Sequence, residues 1–232
     1  MTIPKIIHQI WSGVNEPLPK QFRNMGETWK KHYPAWRYEL WDNKRMIEFV
    51  RNYFPQYWDI YDHFPYNIQR WDAIRYLILY KIGGMYVDFD YESLRSMDEI
   101  VRNKTCCFSM EPYIHRPVTK DFNNALMLCT PGHFFMKRII ERVFCSNNRY
   151  DTGEYTMDEI VFSTTGPWLI NNLYTELTNE EKNEIFLIPS EFVSPLDMWQ
   201  TKAIINGTWN INFENILKEA YAIHYYCGGW NK

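Results

Sequence analysis

Several features that mark common protein classes are missing from this chain. No apolar run approaches the ~20 residues of a bilayer-spanning helix, because charge interrupts every hydrophobic stretch. The amino end, MTIPKIIHQIW, has no basic flank, long apolar segment or small-residue cleavage site. No secretory signal is therefore expected, and a cytoplasmic protein is the default. The five cysteines (Cys106, Cys107, Cys129, Cys145, Cys227) are odd in number and lack paired ligand spacing, which argues against a disulfide framework and a zinc site. Basic residues number 25 against 28 acidic ones, for a net charge of −3, with no dense Lys/Arg block. Nucleic acid has no support as a partner. A Gly-x-x-x-x-Gly-Lys phosphate loop is absent too, as are internal repeats, low-complexity segments and linkers. The expectation for 232 residues is one domain, 1–232, with a large core.

Aromatic residues, by contrast, are plentiful at 18%, with ten Trp and seventeen Tyr. Most belong in a core, and the remainder leave room for peripheral contact at the inner membrane face. Strand-like runs occur at IPKIIHQIW, WRYELWD, TCCFSM, NALMLC and YAIHYY, and helical patterns at Lys20 to His32, Lys44 to Tyr61 and Tyr66 to Ile82. Further helical patterns lie in GHFFMKRIIERVF and in TMDEIVFSTTGPWLINNLYTEL, the latter interrupted at Gly166-Pro167. Strands and helices alternate at first and mix later, which predicts an α/β sheet with one predominantly parallel half.

The segment KIGGMYVDFDYES ends a strand-like run in two carboxylates, Asp88 and Asp90. Side chains two apart in a strand share a face, so Tyr86, Asp88 and Asp90 are expected on one face and Met85, Val87 and Phe89 on the other. Two close carboxylates repel and raise each other's pKa, whereas a hard cation such as Mg²⁺ or Mn²⁺ favours ionised oxygens. Alone, such a common triplet reads better as solvated loop residues or a turn cap. Here it follows a Gly-Gly exit from a long helix carrying RWDAIRY, a more specific context.

Four ordered blocks, IPKIIHQIW, RWDAIRYLILYKIGGMYVDFD, TTGP and AIHYYCGGW, resemble glycosyltransferase family 32, the sugar transferases with a DXD motif. The longest block is also similar to the core of the large clostridial glucosylating toxins. The resemblance implies a GT-A fold, a single Rossmann-like mixed sheet flanked by helices, and retaining transfer from a nucleotide-diphosphate sugar, with uridine as the favoured base. The acceptor would be a glycan or a lipid-linked precursor in surface polysaccharide synthesis, and the cofactor Mn²⁺ or Mg²⁺.

By motif match, Asp90 would ligate the ion, and Asp88 would touch the donor and reach the ion through water. His224 would complete the metal shell; its alternative is a satisfied core histidine. Asp72 would meet a sugar hydroxyl and Arg75 the sugar or diphosphate, where the alternative is a surface ion pair. Trp11 would stack on the base or simply pack, Asn124 would contact the sugar, and Trp230 would donate to a phosphate or anchor the tail. Asp88, Asp90 and Arg75 are the catalytic candidates. No carboxylate is singled out as nucleophile, with Asp121, Asp158 and Glu159 all undistinguished by spacing. His8 and Gln9 belong to the first block without an assigned role. Two competing readings are a nucleotidyltransferase and a carbohydrate-binding or inactive relative.

Overall fold

The computed structural model describes residues 2–14, 16–119, 121–145, 155–208 and 212–227. The order is β1 (Ile6–Ile10), α1 (Lys20–His32), β2 (Arg37–Trp41), α2 (Asn43–Tyr53), α3 (Trp58–Asp62), α4 (Asn67–Lys81), β3 (Gly84–Val87), β4 (Tyr91–Ser93) and β5 (Cys106–Met110). It continues with α5 (Arg116–Thr119), β6 (Phe122–Cys129), α6 (Phe134–Val143), α7 (Met157–Thr164), α8 (Pro167–Thr175), α9 (Asn179–Asn183) and β7 (Ile185–Ile188). The last elements are α10 (Ser190–Val193), α11 (Met198–Ile205), α12 (Asn212–Leu217) and β8 (Ala222–His224).

Six strands form one sheet in the order β2-β1-β3-β6-β5-β7. β1 runs parallel to both β2 and β3. β6 then reverses direction against β3 and β5, and β7 pairs parallel with β5. The parallel half expected from strand–helix alternation is therefore β2-β1-β3. Alternation along the strands separates two cores. Tyr86, Phe108 and Met127 face the layer containing α2, α4, α6 and α8, while Met85, Val87, Cys107, Leu126 and Leu128 pack under α1 with Trp29 and Tyr33.

α4 lies inside the fold, with ten of its fifteen residues buried, so it is packed on more than one face. Its exit is set by two glycines in the left-handed half of backbone space. Gly83 has φ +73 and Gly84 φ +107, and a Cβ on Gly84 would lie 2.5 Å from the Ile6 carbonyl oxygen. Only glycine lets β3 start that close to β1.

The strand reading of the Asp pair needs correction. β3 ends at Val87, and Phe89 and Asp90 form a turn. The Asp88 N–H makes a last cross-strand bond to the Ala125 carbonyl, and the Tyr91 N–H then bonds back to the Asp88 carbonyl and turns the chain out of the sheet. It then forms a separate two-stranded sheet, in which Tyr91 opposes His224.

Candidate active site

The turn after β3 opens onto a cavity of about 400 Å³ lined by Trp11, Asp72, Arg75, Asp88, Asp90, Asn124 and His224. Every site candidate from the sequence except Trp230 thus lies on its wall; Trp230 is outside the described residues. The volume falls within the range for small-ligand sites.

One side is built on α4. Asp72 and Arg75 form a buried pair, 3.1 Å apart, in place of the surface ion pair that their spacing also allowed. Arg75 reaches Asp88 Oδ1 at 3.2 Å and the Asn124 carbonyl at 3.3 Å. Asp72 accepts from Asn124 Nδ2 at 3.0 Å and Thr165 Oγ1 at 3.1 Å. Burial pushes the Asp72 carboxyl up to about 6 against the opposing Arg75 charge. Burial also raises Asp88, opposed by Arg75, while the Tyr86 hydroxyl donates to its Oδ1. The TTGP block holds Asp72 in place: Thr164 accepts from Gln69 of α4, and the Thr165 carbonyl accepts from Tyr76.

The other side joins the turn to the tail. Asp90 Oδ2 accepts from the Cys227 N–H at 3.0 Å, and Asp90 Oδ1 lies 3.5 Å from His224 Nε2. His224 stacks on Tyr91 with centroids 4.3 Å apart. Burial works to raise the Asp90 carboxyl, but the His224 imidazole and the Cys227 N–H outweigh it and hold it below the ordinary range. Conversely, burial disfavours a charged His224, yet Asp90 and Glu111 raise it. His224 Nδ1 is buried without a hydrogen-bond partner.

Trp11 packs against Phe22 and edge-on against Phe89, and its indole N–H donates to the Glu16 carbonyl. His8 and Gln9 now have clear structural tasks. Gln9 Nε2 donates to the Val87 and Asp88 carbonyls at 3.3 Å, and Tyr38 positions its amide oxygen. His8 bridges the Gly83 carbonyl and the Trp41 indole across the sheet. The first block therefore braces both ends of β3.

Glu111 also lines the cavity and was not singled out in the sequence. It is buried and accepts from His115 Nδ1 at 3.1 Å and from Asn123. Burial acts to raise it, but these partners and the nearby His224 leave it below the ordinary range. Its only sequence signal is a carboxylate at a strand end, which many surface residues share. Asp121, Asp158 and Glu159 do not line the cavity, and Glu159 caps α7 by accepting from Thr156.

Cysteine spacing gave no hint that Cys106, Cys129 and His133 would meet. Their ligand atoms lie within 4.8 Å of one another, because Cys106 opposes Cys129 across β5 and β6. Burial raises the Cys106 thiol well above its usual range, and all five cysteines are free.

A mixed sheet with helices on both faces, whose central parallel strand ends in an Asp-x-Asp turn over a cleft, defines the class of GT-A glycosyltransferases. The ligand-free glycosyltransferase domain of the YGT toxin superposes with a TM-score of 0.58 at 9% identity, over 81% of this chain and 80% of that one; that domain also has a UDP-bound structure. Residues 19–106 match the family model described as a glycosyltransferase sugar-binding region containing a DXD motif. The uncharacterized glycosyltransferase L373 of Acanthamoeba polyphaga mimivirus is 30% identical over 86% of this chain and 76% of its own length. Inositol phosphoceramide mannosyltransferase 1 of Schizosaccharomyces pombe is 27% identical over 81% of this chain, which spans 56% of that protein's length. The chain belongs to this DXD-containing glycosyltransferase family. Among the described residues, no helix is long and apolar enough to cross a membrane.

Proposed function

We propose that the chain is a divalent-metal-dependent, retaining glycosyltransferase that moves a sugar from a nucleotide-diphosphate sugar to a glycan or lipid-linked acceptor. The observation that carries this reading is the convergence of Asp72, Arg75, Asp88, Asp90, Asn124 and His224 on one cavity at the end of β3. The names of the yeast relatives, mannosyltransferases of inositol phosphoceramide, favour mannose as the sugar and a phosphoinositol lipid as the acceptor.

The residues fit a metal ion. Asp90 Oδ1 and His224 Nε2 face each other at 3.5 Å on the cavity wall, a carboxylate oxygen and an imidazole nitrogen within reach of one ion. Asp90 and His224 would hold Mn²⁺ or Mg²⁺, with Asp88 beside them; an imidazole in the set favours Mn²⁺. When bound, the ion supplies Lewis-acid stabilisation of the leaving diphosphate. Arg75 adds a fixed positive charge to the same wall, already oriented by Asp72 and Asp88. Asp72 and Asn124 orient sugar hydroxyls, and Trp11 offers an aromatic face to the base. Glu111, locked by His115 and Asn123, is a further carboxylate on the cavity wall and would accept a hydrogen bond from an attacking hydroxyl.

Calorimetric titration with UDP and GDP, each with Mn²⁺ and with chelator, tests the reading on wild type and Asp90→Asn. Metal-dependent binding of one nucleotide, lost in the variant, is the expected result and identifies the base. A uridine donor matches the toxin-like core, and a guanosine donor suits mannose transfer. Failure of folded wild-type protein to bind either nucleotide with Mn²⁺ refutes the transferase site.

A further inference from the structure

Ten large hydrophobic side chains are exposed among the described residues, and four of them sit together beside the cavity: Tyr113 (83%), Ile114 (55%), Val118 (61%) and Trp199 (60%). Tyr113, Ile114 and Val118 belong to the 112–119 segment, and Trp199 to the first turn of α11. The two segments are joined directly, since the Met198 N–H donates to His115 Nε2 at 3.1 Å and the His115 ring lies 6.3 Å from Trp199. A second tie fixes the opposite edge. Trp168 donates its indole N–H to the Val118 carbonyl at 2.6 Å, and its ring lies 5.5 Å from Phe162. Met198, Phe162 and Glu111 all line the cavity, so both flanks of the apolar surface run into its rim.

The charge of these segments is equally distinctive. Neither 112–119 nor 198–208 contains an Asp or Glu, whereas they carry Arg116 and Lys202, in a chain whose net charge is −3. Lys202 is exposed and Arg116 half-exposed. The flanking Asp197 has its carboxyl turned to the Trp199 and Gln200 N–H groups as a helix cap. Protruding Trp and Tyr beside Arg116 and Lys202 match the interfacial zone of an anionic bilayer, where indole and phenol rings sit at headgroup depth and Lys/Arg meet lipid phosphates. A second copy of the chain suits this surface less well, because pairing it with itself would bring Arg116 and Lys202 against like charge.

We infer that this aromatic–basic collar is a membrane-docking surface, which seats the cavity mouth on an anionic lipid bilayer so that a lipid-borne acceptor enters from the membrane. Its purpose rests on the lipid-acceptor form of the proposed function; the docking itself does not. Co-flotation of the full chain with vesicles of phosphatidylcholine alone, or of phosphatidylcholine with phosphatidylserine, tests it. Wild type is expected to float with the anionic vesicles. The variant Tyr113→Ser/Ile114→Ser/Trp199→Ser should lose that binding roughly ten-fold or more, and Arg116→Gln/Lys202→Gln should lose the advantage of phosphatidylserine.

Nucleotide calorimetry on the same preparations separates the possible failures. Variants that keep wild-type nucleotide affinity are folded, and their loss of flotation then reports the collar. If wild type floats but binds no nucleotide, the transferase reading falls while the docking surface stands. Absence of wild-type binding to anionic vesicles overturns the inference. So does equal flotation of wild type and the triple variant, or a concentration-dependent dimer that the triple substitution abolishes.

Discussion

Acidification should destabilise this protein through His8, a residue remote from the cavity chemistry. The ring is fully buried, its Nε2 lies 2.9 Å from the Gly83 carbonyl, and its Nδ1 accepts from the Trp41 indole at 3.1 Å. Those partners require a neutral ring with the proton on Nε2. A second proton on Nδ1 would face the indole N–H donor to donor. Burial lowers the pKa to about 4, against the opposing Gly83 carbonyl and Glu39 charge. An unfolded His titrates near ~6.5, and each pH unit of separation is worth ~1.4 kcal/mol, so the neutral ring contributes about 3 kcal/mol.

The sign follows from proton uptake. Above the unfolded value both states are neutral and the contribution is complete; as pH falls from ~6.5 towards ~4, the unfolded chain takes up a proton that the folded chain refuses. About 2 kcal/mol of the total should disappear between about pH 7 and about pH 5. Urea unfolding followed by tryptophan fluorescence, across that range, measures it in wild type and in His8→Gln. The variant is expected to be less stable near neutrality but to lose about 2 kcal/mol less on acidification. Parallel loss of stability in the two proteins would refute the argument, since it would assign the acid sensitivity to other groups.

Other substitutions probe the scaffold and the cavity. Gly84→Ala combines an unfavourable φ of +107 with a Cβ 2.5 Å from the Ile6 carbonyl, and should cost about 3 kcal/mol or more, read as a large drop in melting temperature. Thr165→Val removes a donor to the buried Asp72 carboxylate and should cost about 1–3 kcal/mol in urea unfolding; Thr165→Ser, which keeps the hydroxyl, should stay near wild type. Trp11→Ala should weaken metal-dependent nucleotide binding by roughly 5- to 150-fold, the worth of one base–aromatic stack. Unchanged calorimetric affinity would assign Trp11 to packing with Phe22 and Phe89 alone.

Much of the architecture was written locally. The Gly83-Gly84 exit, the helical patterns and the strand-like runs behind β1, β2, β5 and β6 announce helix, turn and strand through backbone permissions and local side-chain pattern, which neighbouring residues decide among themselves. Motif order also singled out residues as distant in the chain as Trp11, Asp72, Asp90, Asn124 and His224, all of which line one cavity. Tertiary structure decided what local pattern could not. The carboxylate pair left the sheet for a turn because β4 had to pair with β8, some 130 residues later in the chain. Burial, set by α7 and β6 closing over α4, converted an unremarkable Asp-x-x-Arg spacing into a desolvated ion pair. Glu111 and the Cys106–Cys129–His133 group acquired their neighbours across strands, and the apolar collar became one surface only when α11 packed beside the 112–119 segment. Those outcomes depend on which groups lose water together, a property of the assembled core that nearest neighbours along the chain do not determine.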